Sequence, residues 1–263
     1  MRKRNLYNYI FNEKTILAGY RGSIAHGLYI PPEESDEFGI CDTDMFEVYR
    51  FPDEYYFSLE GYYHSKETSE EKDGELDIVR YELRKFFHLA AGCNPNVITW
   101  LWNRIEHYTT VSPEGKLILK NRQIFLGKRR IRDAFGGYAH SQLSRLTAGS
   151  YRGYMGEKRK RLVDKYGYDT KNASTLIKLL RWGRELLLTG SMQVYRQKDR
   201  DFLLDIKMGK FSLAKIQEIA DKEFLLLEEA YAASKLPEVN NKRKISELLV
   251  AILKGGEDEK RQY

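Results

Sequence analysis

The amino-acid sequence predicts an α+β fold in which a small mixed β-sheet is followed by a helical region. Before residue 82, short runs rich in Ile, Val, Tyr and Phe are broken by Gly, Pro and charged clusters, which is typical of strands and turns. After that residue, apolar side chains recur with helical periodicity over several long segments. We therefore expect two domains, one containing the sheet over residues 1–105 and a helical one over residues 106–263.

Three segments of the N-terminal part are the best strand candidates. They are TILAGY at 15–20, DTDMFEVY at 42–49 and LDIVRY at 76–81, each short and rich in apolar, β-branched or aromatic residues. The polar stretch SKETSEEKDGE at 65–75 lies between the second and the third candidate, and we predict that it forms a loop.

Helical signals begin immediately after the third strand candidate. In ELRKFFHLAAG the apolar residues recur at positions i, i+3, i+4 and i+7, namely Leu83, Phe86, Phe87 and Ala90. In NPNVITWLWN, Asn94 is suited to cap a helix and Pro95 to occupy its first turn. Longer amphipathic segments follow in RDAFGGYAHSQLSRL, NASTLIKLLRWGRELLLTG, SLAKIQEIADKEFLLLEEAYAASK and KRKISELLVAIL.

Composition excludes several classes of protein. The 263 residues are 42% hydrophobic, which is enough for one large domain or two small ones. No window approaches the roughly 18 consecutive apolar residues of a membrane span, and the basic start MRKRNLYNYIFNEK lacks the apolar run of a secretory signal. Cys41 and Cys93 are too few for a disulfide framework and lack metal-site spacing. We expect a cytoplasmic protein with free thiols and no membrane partner.

Charge is distributed unevenly along the chain, although the net charge is only +6. Residues 33–79 contain 16 acidic and three basic side chains, whereas residues 115–161 contain 13 basic and two acidic ones. An acidic and a basic segment in one chain suit a site where metal ions and a polyanion meet. The alternative is that runs such as EKRKR are solvated helix faces.

Three aspartates form the strongest chemical signal. Asp42 and Asp44 are two residues apart, so on a strand both side chains share one face, and Asp77 in the next strand candidate supplies a third carboxylate. Like charges held so close favour a bound cation, and hard oxygen ligands select Mg²⁺ or Mn²⁺. Glu75 shares the face of Asp77 and is a weaker competitor. The alternative for the Asp-x-Asp pair alone is a solvated strand edge.

A second acidic cluster, EESDEFG, precedes this pair and offers another candidate. Asp36 and Glu37 are adjacent, so on an extended strand their side chains point to opposite faces. We therefore expect Asp42 and Asp44, and not Asp36 and Glu37, to be the metal pair.

The stretch GYRGSIAHGLYI places Gly22 and Ser23 between a strand candidate and a helix start, a turn that presents backbone N–H groups to a phosphate. It is also an ordinary way to turn a corner. Arg21 beside it is suited to neutralise a phosphate, or to pair with EESDE. His26 is a candidate for nucleotide contact, with a structural hydrogen bond as the alternative.

The Gly-Ser turn, the Asp-x-Asp strand and the third acidic strand together resemble the signature of the polymerase-β-like nucleotidyltransferase superfamily. RGSIAHGLYIP, YELRKFF, NPNVITWLW, GYAHSQLSRL and NASTLIKLLRWGRELLLTG are similar, more narrowly, to the RNA-ligase-associated nucleotidyltransferase (RlaP) family of bacteria and phages. In two respects the chain departs from the superfamily pattern: the interval from Ser23 to Asp42 is longer than usual, and Glu47 stands where a Gly often follows the Asp-x-Asp strand.

The resemblance implies a nucleotidyltransferase core over residues 1–105, a helical domain over residues 106–263, and a two-metal site at Asp42, Asp44 and Asp77. It also draws attention to Tyr138 and Ser141 in GYAHSQLSRL, where Tyr138 is suited to stack on a base or simply to pack. In the helical region, Lys171 and Lys178 are candidate contacts to a triphosphate.

These observations lead to the hypothesis of a Mg²⁺- or Mn²⁺-dependent enzyme that moves a nucleoside monophosphate from an NTP such as ATP to an acceptor hydroxyl. The acceptor classes are an RNA 3′ end, a protein side chain, as in nucleotidylylating toxins, and a small molecule. The basic segment 115–161, with interleaved tyrosines, favours RNA. The alternative from another class is a catalytically inactive nucleotide- or RNA-binding module.

Overall fold

The computed structural model describes residues 14–31, 42–57, 68–73, 76–147 and 157–258. Within them, five strands form one sheet: β1 (Lys14–Arg21), β2 (Thr43–Arg50), β3 (Thr68–Asp73), β4 (Leu76–Glu82) and β5 (Tyr108–Val111). The strand order is β3-β4-β2-β1-β5, with β2 parallel to β4 and the other neighbours antiparallel. The three sequence-predicted strands are therefore confirmed as β1, β2 and β4.

The prediction of a loop over residues 65–75 is wrong. Residues 68–73 form β3, which pairs antiparallel with β4 from Thr68 opposite Tyr81 to Asp73 opposite Leu76. The strand is polar because it lies at the edge of the sheet, where one side of its backbone needs no partner strand and charged side chains are tolerated. At the opposite edge, β5 extends the sheet to Val111.

Twelve helices surround or follow this sheet within the described residues. They are α1 (Gly22–Ala25), α2 (Asp53–Phe57), α3 (Leu83–Ala91), α4 (Pro95–Ile98), α5 (Pro113–Lys120), α6 (Lys128–Ile131), α7 (Gly137–Thr147), α8 (Glu157–Tyr166), α9 (Thr170–Thr189), α10 (Arg200–Lys207), α11 (Leu213–Ala233) and α12 (Lys242–Asp258). Short 3-10 turns lie at Thr99–Trp102, Ile105–His107 and Arg122–Phe125, and a π turn joins α6 to α7 at Arg132–Gly136. The α+β fold class is confirmed.

The central helix of the helical region is α9. Its first turn is capped by the Asp169 side chain, which accepts a hydrogen bond from the Asn172 backbone N–H at 3.0 Å. It ends at Gly190, whose φ of 67° is the left-handed conformation typical of a helix C-terminus. Both faces of α9 are largely buried, because α7, α10 and α11 pack around it. Several polar side chains on this helix are consequently buried.

One cluster of buried side chains runs through both the sheet and the helical region, from Ile16 in β1 to Ile252 in α12. At its centre Phe46 of β2 stacks on Trp100, with ring centroids 4.4 Å apart. This shared core fixes how the sheet faces α9. None of the helices in the described part of the chain combines the length and the apolar character needed to cross a bilayer.

Candidate active site

A cleft of about 430 Å³ lies between the sheet and the helical region. Its sheet side contains the end of β1, the turn into α1, and residues of β2, β3 and β4. Its helical side contains α9, the end of α10 and one residue of α7. The side chains that line it include Arg21, Ser23, His26, Asp44, Glu70, Tyr81, Tyr138, Lys171, Lys178, Trp182 and Lys207.

An acidic row, formed by Asp44 of β2 and Asp77 of β4, lies next to Arg21 of β1, and both Asp44 and Arg21 line this cleft. Asp44 of β2 is the register partner of Arg21 on β1 and of Asp77 on β4. The Arg21 guanidinium lies 3.3 Å from an Asp44 carboxylate oxygen and 3.1 Å from one of Asp77, and its Nε donates to the Met45 carbonyl at 3.0 Å. The two aspartates therefore lie side by side, with one cation bridging them.

Asp44 is the more deeply placed of the two carboxylates. Its burial raises the pKa, and the nearby charges of Asp77 and Asp42 add to the rise, whereas Arg21 and Lys171 oppose it. A carboxylate in this environment is stabilised as the anion by any further cation that enters the cleft.

The Gly-Ser turn packs directly against the Asp44 carboxylate. Gly22 has a φ of +65°, and a side chain there would collide with the Asp44 carboxylate, so glycine is required on both grounds. The Ser23 hydroxyl donates to the Asp42 backbone carbonyl at 3.2 Å, which joins the turn to the start of β2. Asp42 lies immediately before β2, and its carboxylate is 3.9 Å from the Lys171 ammonium.

The chemistry of the donor set fits a hard divalent cation, because Asp44 and Asp77 present carboxylate oxygens from adjacent, in-register strands. Within the described residues, however, no group of three or more His, Cys, Asp or Glu side chains is arranged to hold a metal. The Arg21 guanidinium supplies the positive charge between the two carboxylates, and Asp42 faces Lys171.

The helical side of the cleft is basic and buried. Lys178 on α9 is 6% exposed, and its ammonium donates to Nδ1 of His26 at 2.9 Å and lies over the Trp182 ring. Burial, followed by repulsion from Lys171 and Arg196, lowers the pKa of Lys178 to about 7. Burial and the neighbouring lysines also hold the pKa of His26 well below its usual value, so the imidazole is neutral and accepts this bond.

His26 makes the structural hydrogen bond that was one of its two interpretations from the sequence, and it lines the cleft. It touches Lys178, and its ring packs edge-on against Trp182 with centroids 4.9 Å apart. Its backbone carbonyl accepts a hydrogen bond from the Arg196 N–H at 2.9 Å, and the next carbonyl, of Gly27, accepts one from Arg200 Nε at 2.9 Å. The helical region thus holds the turn in place.

Sequence reasoning missed Lys207, the last residue of α10. It lines the cleft, is 6% exposed, and burial lowers its pKa well below the usual value, helped by the charges of Lys178 and Lys171. A signal was present, because Lys207 falls four residues after the buried Leu203, on the apolar face of the helix. A lysine at the end of a helix is usually exposed to solvent, so residue type gave no reason to expect Lys207 to be buried.

The remaining predicted residues divide into three groups. Tyr138 on α7 lines the cleft, whereas Ser141, one turn later, is exposed and is not part of the lining. Lys171 lines the cleft at the start of α9. Asp36, Glu37 and Cys41 lie outside the described residues.

Parts of the basic segment 115–161 are already paired. Lys128 lies 3.3 Å from Glu238, and Arg132 lies 2.8 Å from Asp133. Arg129 and Arg130 on α6 are exposed. On α8, Lys160 and Arg161 are exposed, while the side chains of Lys158 and Arg159 are outside the description. The exposed basic residues are therefore fewer than the sequence count suggests.

Comparison with known proteins gives a family model that matches most of the chain. The family model described as "RNA repair pathway DNA polymerase beta family", RlaP, matches residues 8–251. A solved structure of a nucleotidyltransferase-like protein from Exiguobacterium sibiricum aligns with 9% identity and a TM-score of 0.31, covering 84% of this chain and 69% of that one. No curated protein matches the chain.

Proposed function

We propose a reaction for this chain, which belongs to the RNA repair pathway DNA polymerase beta (RlaP) family and is a nucleotidyltransferase by that membership. The reaction is the transfer of a nucleoside monophosphate from an NTP, such as ATP, to an acceptor hydroxyl. One observation carries the proposal: Asp44, which is in register with Asp77, lines the same cleft as Lys171 and Lys178.

The acidic row would hold the divalent cation. Asp44 and Asp77 are the ligands in this proposal, with Asp42 completing the set next to the turn. A bound Mg²⁺ or Mn²⁺ supplies charge neutralisation at the triphosphate and acidifies the attacking hydroxyl. Asp77, the more exposed carboxylate of the pair, takes up the proton of that hydroxyl.

Nucleotide binding falls to the turn and the helical side. Gly22 and Ser23 offer backbone N–H groups at the cleft, where Arg21 and Lys171 add positive charge. The neutral His26 accepts a hydrogen bond from the Lys178 ammonium and so orients it toward the triphosphate. Tyr138, which lines the same helical side of the cleft, would stack on the base.

The bond changes follow from this arrangement. The acceptor oxygen attacks the α-phosphorus, the bond from that phosphorus to the α–β bridging oxygen breaks, and pyrophosphate leaves. The negative charge of the leaving group develops on the side of the cleft that holds Lys171 and Lys178.

We propose RNA as the acceptor class. The family is described as one of RNA repair, and exposed basic residues on α6 and α8 (Arg129, Arg130, Lys160 and Arg161) are suited to phosphodiester contacts. A protein or small-molecule acceptor is the outcome that would redirect this part of the proposal.

The test is to incubate the protein with each α-³²P-labelled NTP, with Mg²⁺ or Mn²⁺, and with RNA of defined 3′ ends. Label is expected to enter the RNA with the wild-type protein and to be lost with Asp44→Asn and Asp77→Asn. Asp201→Asn, an exposed position on α10 outside the cleft lining, is the matched control and is expected to transfer normally. Wild-type transfer by Asp44→Asn, or no transfer by the wild type to any acceptor, would overturn the proposal.

A further inference from the structure

Two buried amino groups at the helical side of the cleft form no ion pair within the described part of the chain. Lys178 contacts the neutral His26 and the Trp182 ring, and no hydrogen bond or ion pair joins Lys207 to another described residue. Each of the two lysines is 6% exposed, and both line the cleft.

We propose that Lys207 and Lys178 form a metal-independent pocket for the terminal phosphates of the nucleotide, and that the free protein is less stable because this pocket is built into it. The inference rests on the proposed function for the identity of the ligand as a polyphosphate. The inference assigns a role to Lys207, for which the sequence suggested none. It also states that burying this lysine lowers the free energy of unfolding of the free protein, which a lysine paired within the fold would not do.

Packing between α9 and α10 places the two amines in one pocket. The Ser174 hydroxyl on α9 donates to the Leu203 carbonyl on α10 at 3.1 Å, which holds the two helices together. Lys207 lies one turn after Leu203 on the same face; the charge of Lys178 acts on Lys207, and both lysines act on His26 in the turn. Three elements therefore direct nitrogen groups at one part of the cleft.

Burying an ammonium without a partner is costly, since the lost hydration is not replaced. Asp42 and Asp44 act on Lys207 without forming an ion pair with it, and Asp42 lies 3.9 Å from Lys171. An anion that enters the cleft would supply the charge partner that Lys207 does not have among the described residues. Lys207 is more than nine-tenths buried and lines that cleft.

The chemistry of the pocket selects a compact anion of high charge. Lys171, Lys178 and Lys207 lie within one cleft of about 430 Å³, so several positive charges converge on a small volume. An internal RNA phosphodiester carries a single charge and continues in both directions, which a buried floor does not accommodate. A terminal diphosphate presents several oxygens at the end of a chain, and the same group leaves as pyrophosphate after transfer.

The test uses inorganic tripolyphosphate and pyrophosphate as probes, in EDTA and at low salt, with calorimetry for affinity and thermal melting for stability. The wild type is expected to bind tripolyphosphate without metal and to melt at a higher temperature in its presence. Lys207→Met is expected to weaken this binding by about tenfold or more, because a charge-assisted contact is lost, and to melt no lower than the wild type in the absence of ligand.

Two further variants keep the test decisive. Lys178→Met should weaken tripolyphosphate binding as Lys207→Met does, which covers the case in which one variant misfolds. Lys210→Met is the matched control, because this exposed lysine three residues away is paired with Asp205 at 2.6 Å, and its affinity should equal that of the wild type.

The inference is overturned if the wild type does not bind tripolyphosphate without metal, or if Lys207→Met binds it as tightly as the wild type. These outcomes are separable from a failure of the proposed function. Lysine-dependent polyphosphate binding without nucleotidyl transfer would uphold the pocket and refute the transferase proposal. Transfer with Lys207-independent binding would do the reverse.

Discussion

Two groups of cations meet at α9 and differ in how they are compensated: one joins Arg181 of α9 to Arg196 beyond its end, and the other consists of Lys178 of α9 and Lys207 of α10. Arg181 is bonded to Glu223 and Asp199 at 2.8 and 2.7 Å, and Arg196 is bonded to Asp199 and Glu185. Lys178, three residues before Arg181, has a neutral imidazole and an indole ring instead. The same helix thus carries a self-sufficient ion network and, beside it, positive charge directed into a cleft.

The difference distinguishes structural from ligand-directed charge. The arginine network joins α9 to α11 through Glu223 and to the start of α10 through Asp199. These ion pairs therefore stabilise the packing of the three helices. Apart from the hydrogen bond from Lys178 to His26, the lysines make no described polar contact that joins one element to another. Removing a member of each group should therefore have opposite effects on the free protein.

The largest effect on stability is expected for Glu223→Gln. This buried carboxylate accepts bonds from the half-buried Arg181 and Arg184, so its neutralisation weakens both bonds and leaves Arg181 with Asp199 as its carboxylate partner. We expect the free energy of unfolding to fall by about 1.5–3 kcal/mol, measured by urea denaturation. Glu218→Gln, on the exposed side of α11 and paired only with Lys215 among the described contacts, is the control. A loss no greater than that of the control would remove the contrast between the two groups.

Arg21 belongs to neither group, because it is paired yet lies in the cleft. It bridges Asp44 and Asp77, so it competes with a divalent cation for the same two carboxylates. Arg21→Gln is expected to tighten Mn²⁺ binding in the absence of nucleotide by about tenfold, the scale of a one-unit pKa interaction. Free Mn²⁺ is followed by electron paramagnetic resonance.

The control for Arg21 is Arg80→Gln, because Arg80 on β4 is paired with Glu47 at 2.6 Å and Glu47 also accepts from Thr15. Its removal should leave Mn²⁺ affinity unchanged. If Arg21→Gln weakens Mn²⁺ binding instead, Arg21 organises the carboxylates and does not compete with the metal.

The pH dependence should separate the lysines from the arginines. The pKa of Lys178 is about 7 in the folded protein and near its ordinary 10.5 when unfolded, so between these values the unfolded chain binds more protons. The stability of the free protein should therefore rise with pH above 7, and Lys207 contributes in the same direction. Tripolyphosphate affinity should fall over the same range, as the ammonium is lost.

This prediction is checked by urea denaturation and calorimetry at several pH values from 6 to 9, as an approximate working range below the unfolded lysine pKa. The variant Lys178→Met should flatten both profiles, since the titrating group is gone. A wild-type stability that declines from pH 7 upward would contradict the assignment of the buried amine.

The smallest effect is expected on the outer surface. If Arg129, Arg130, Lys160 and Arg161 contact RNA, their joint replacement by Ala should lower the slope of log affinity against log salt by up to about one unit per lost contact. Nucleotide affinity should hardly change, because these residues are outside the cleft lining. Alanine at Arg243 and Lys215, which pair with glutamates on exposed helix faces, is the control. An unchanged slope would favour a protein or small-molecule acceptor.

Local patterns in the sequence were sufficient to predict β1, β2, β4, the glycine turn and the amphipathic helices. The period of two predicted that Asp42 and Asp44 share one face of a strand. In the structure Asp42 lies immediately before β2, and Asp44 is in register with Asp77, the third predicted carboxylate. Residue type indicated the turn at Gly22, because only glycine accepts a positive φ beside a carboxylate.

The same patterns failed where a structure depends on a partner segment and not on the local sequence. β3 is almost entirely polar, and it forms because β4 offers its edge as a hydrogen-bonding partner. The basic segment appeared uniform in the sequence, yet Lys128 and Arg132 are paired with Glu238 and Asp133. Such pairings depend on which segments meet, and Lys128 and Glu238 are far apart along the chain.

The sequence by itself determined the fold class, the family and the presence of an acidic strand pair next to a Gly-Ser turn, because these depend on spacing along a few residues. Only the tertiary structure decided that Arg21 bridges Asp44 and Asp77, and that Lys178 and Lys207 are buried without a carboxylate. The physical reason is that the free energy of burying a charged side chain depends on the groups around it. Those groups come from segments that are distant in the chain and meet only when α10 packs on α9 opposite the sheet.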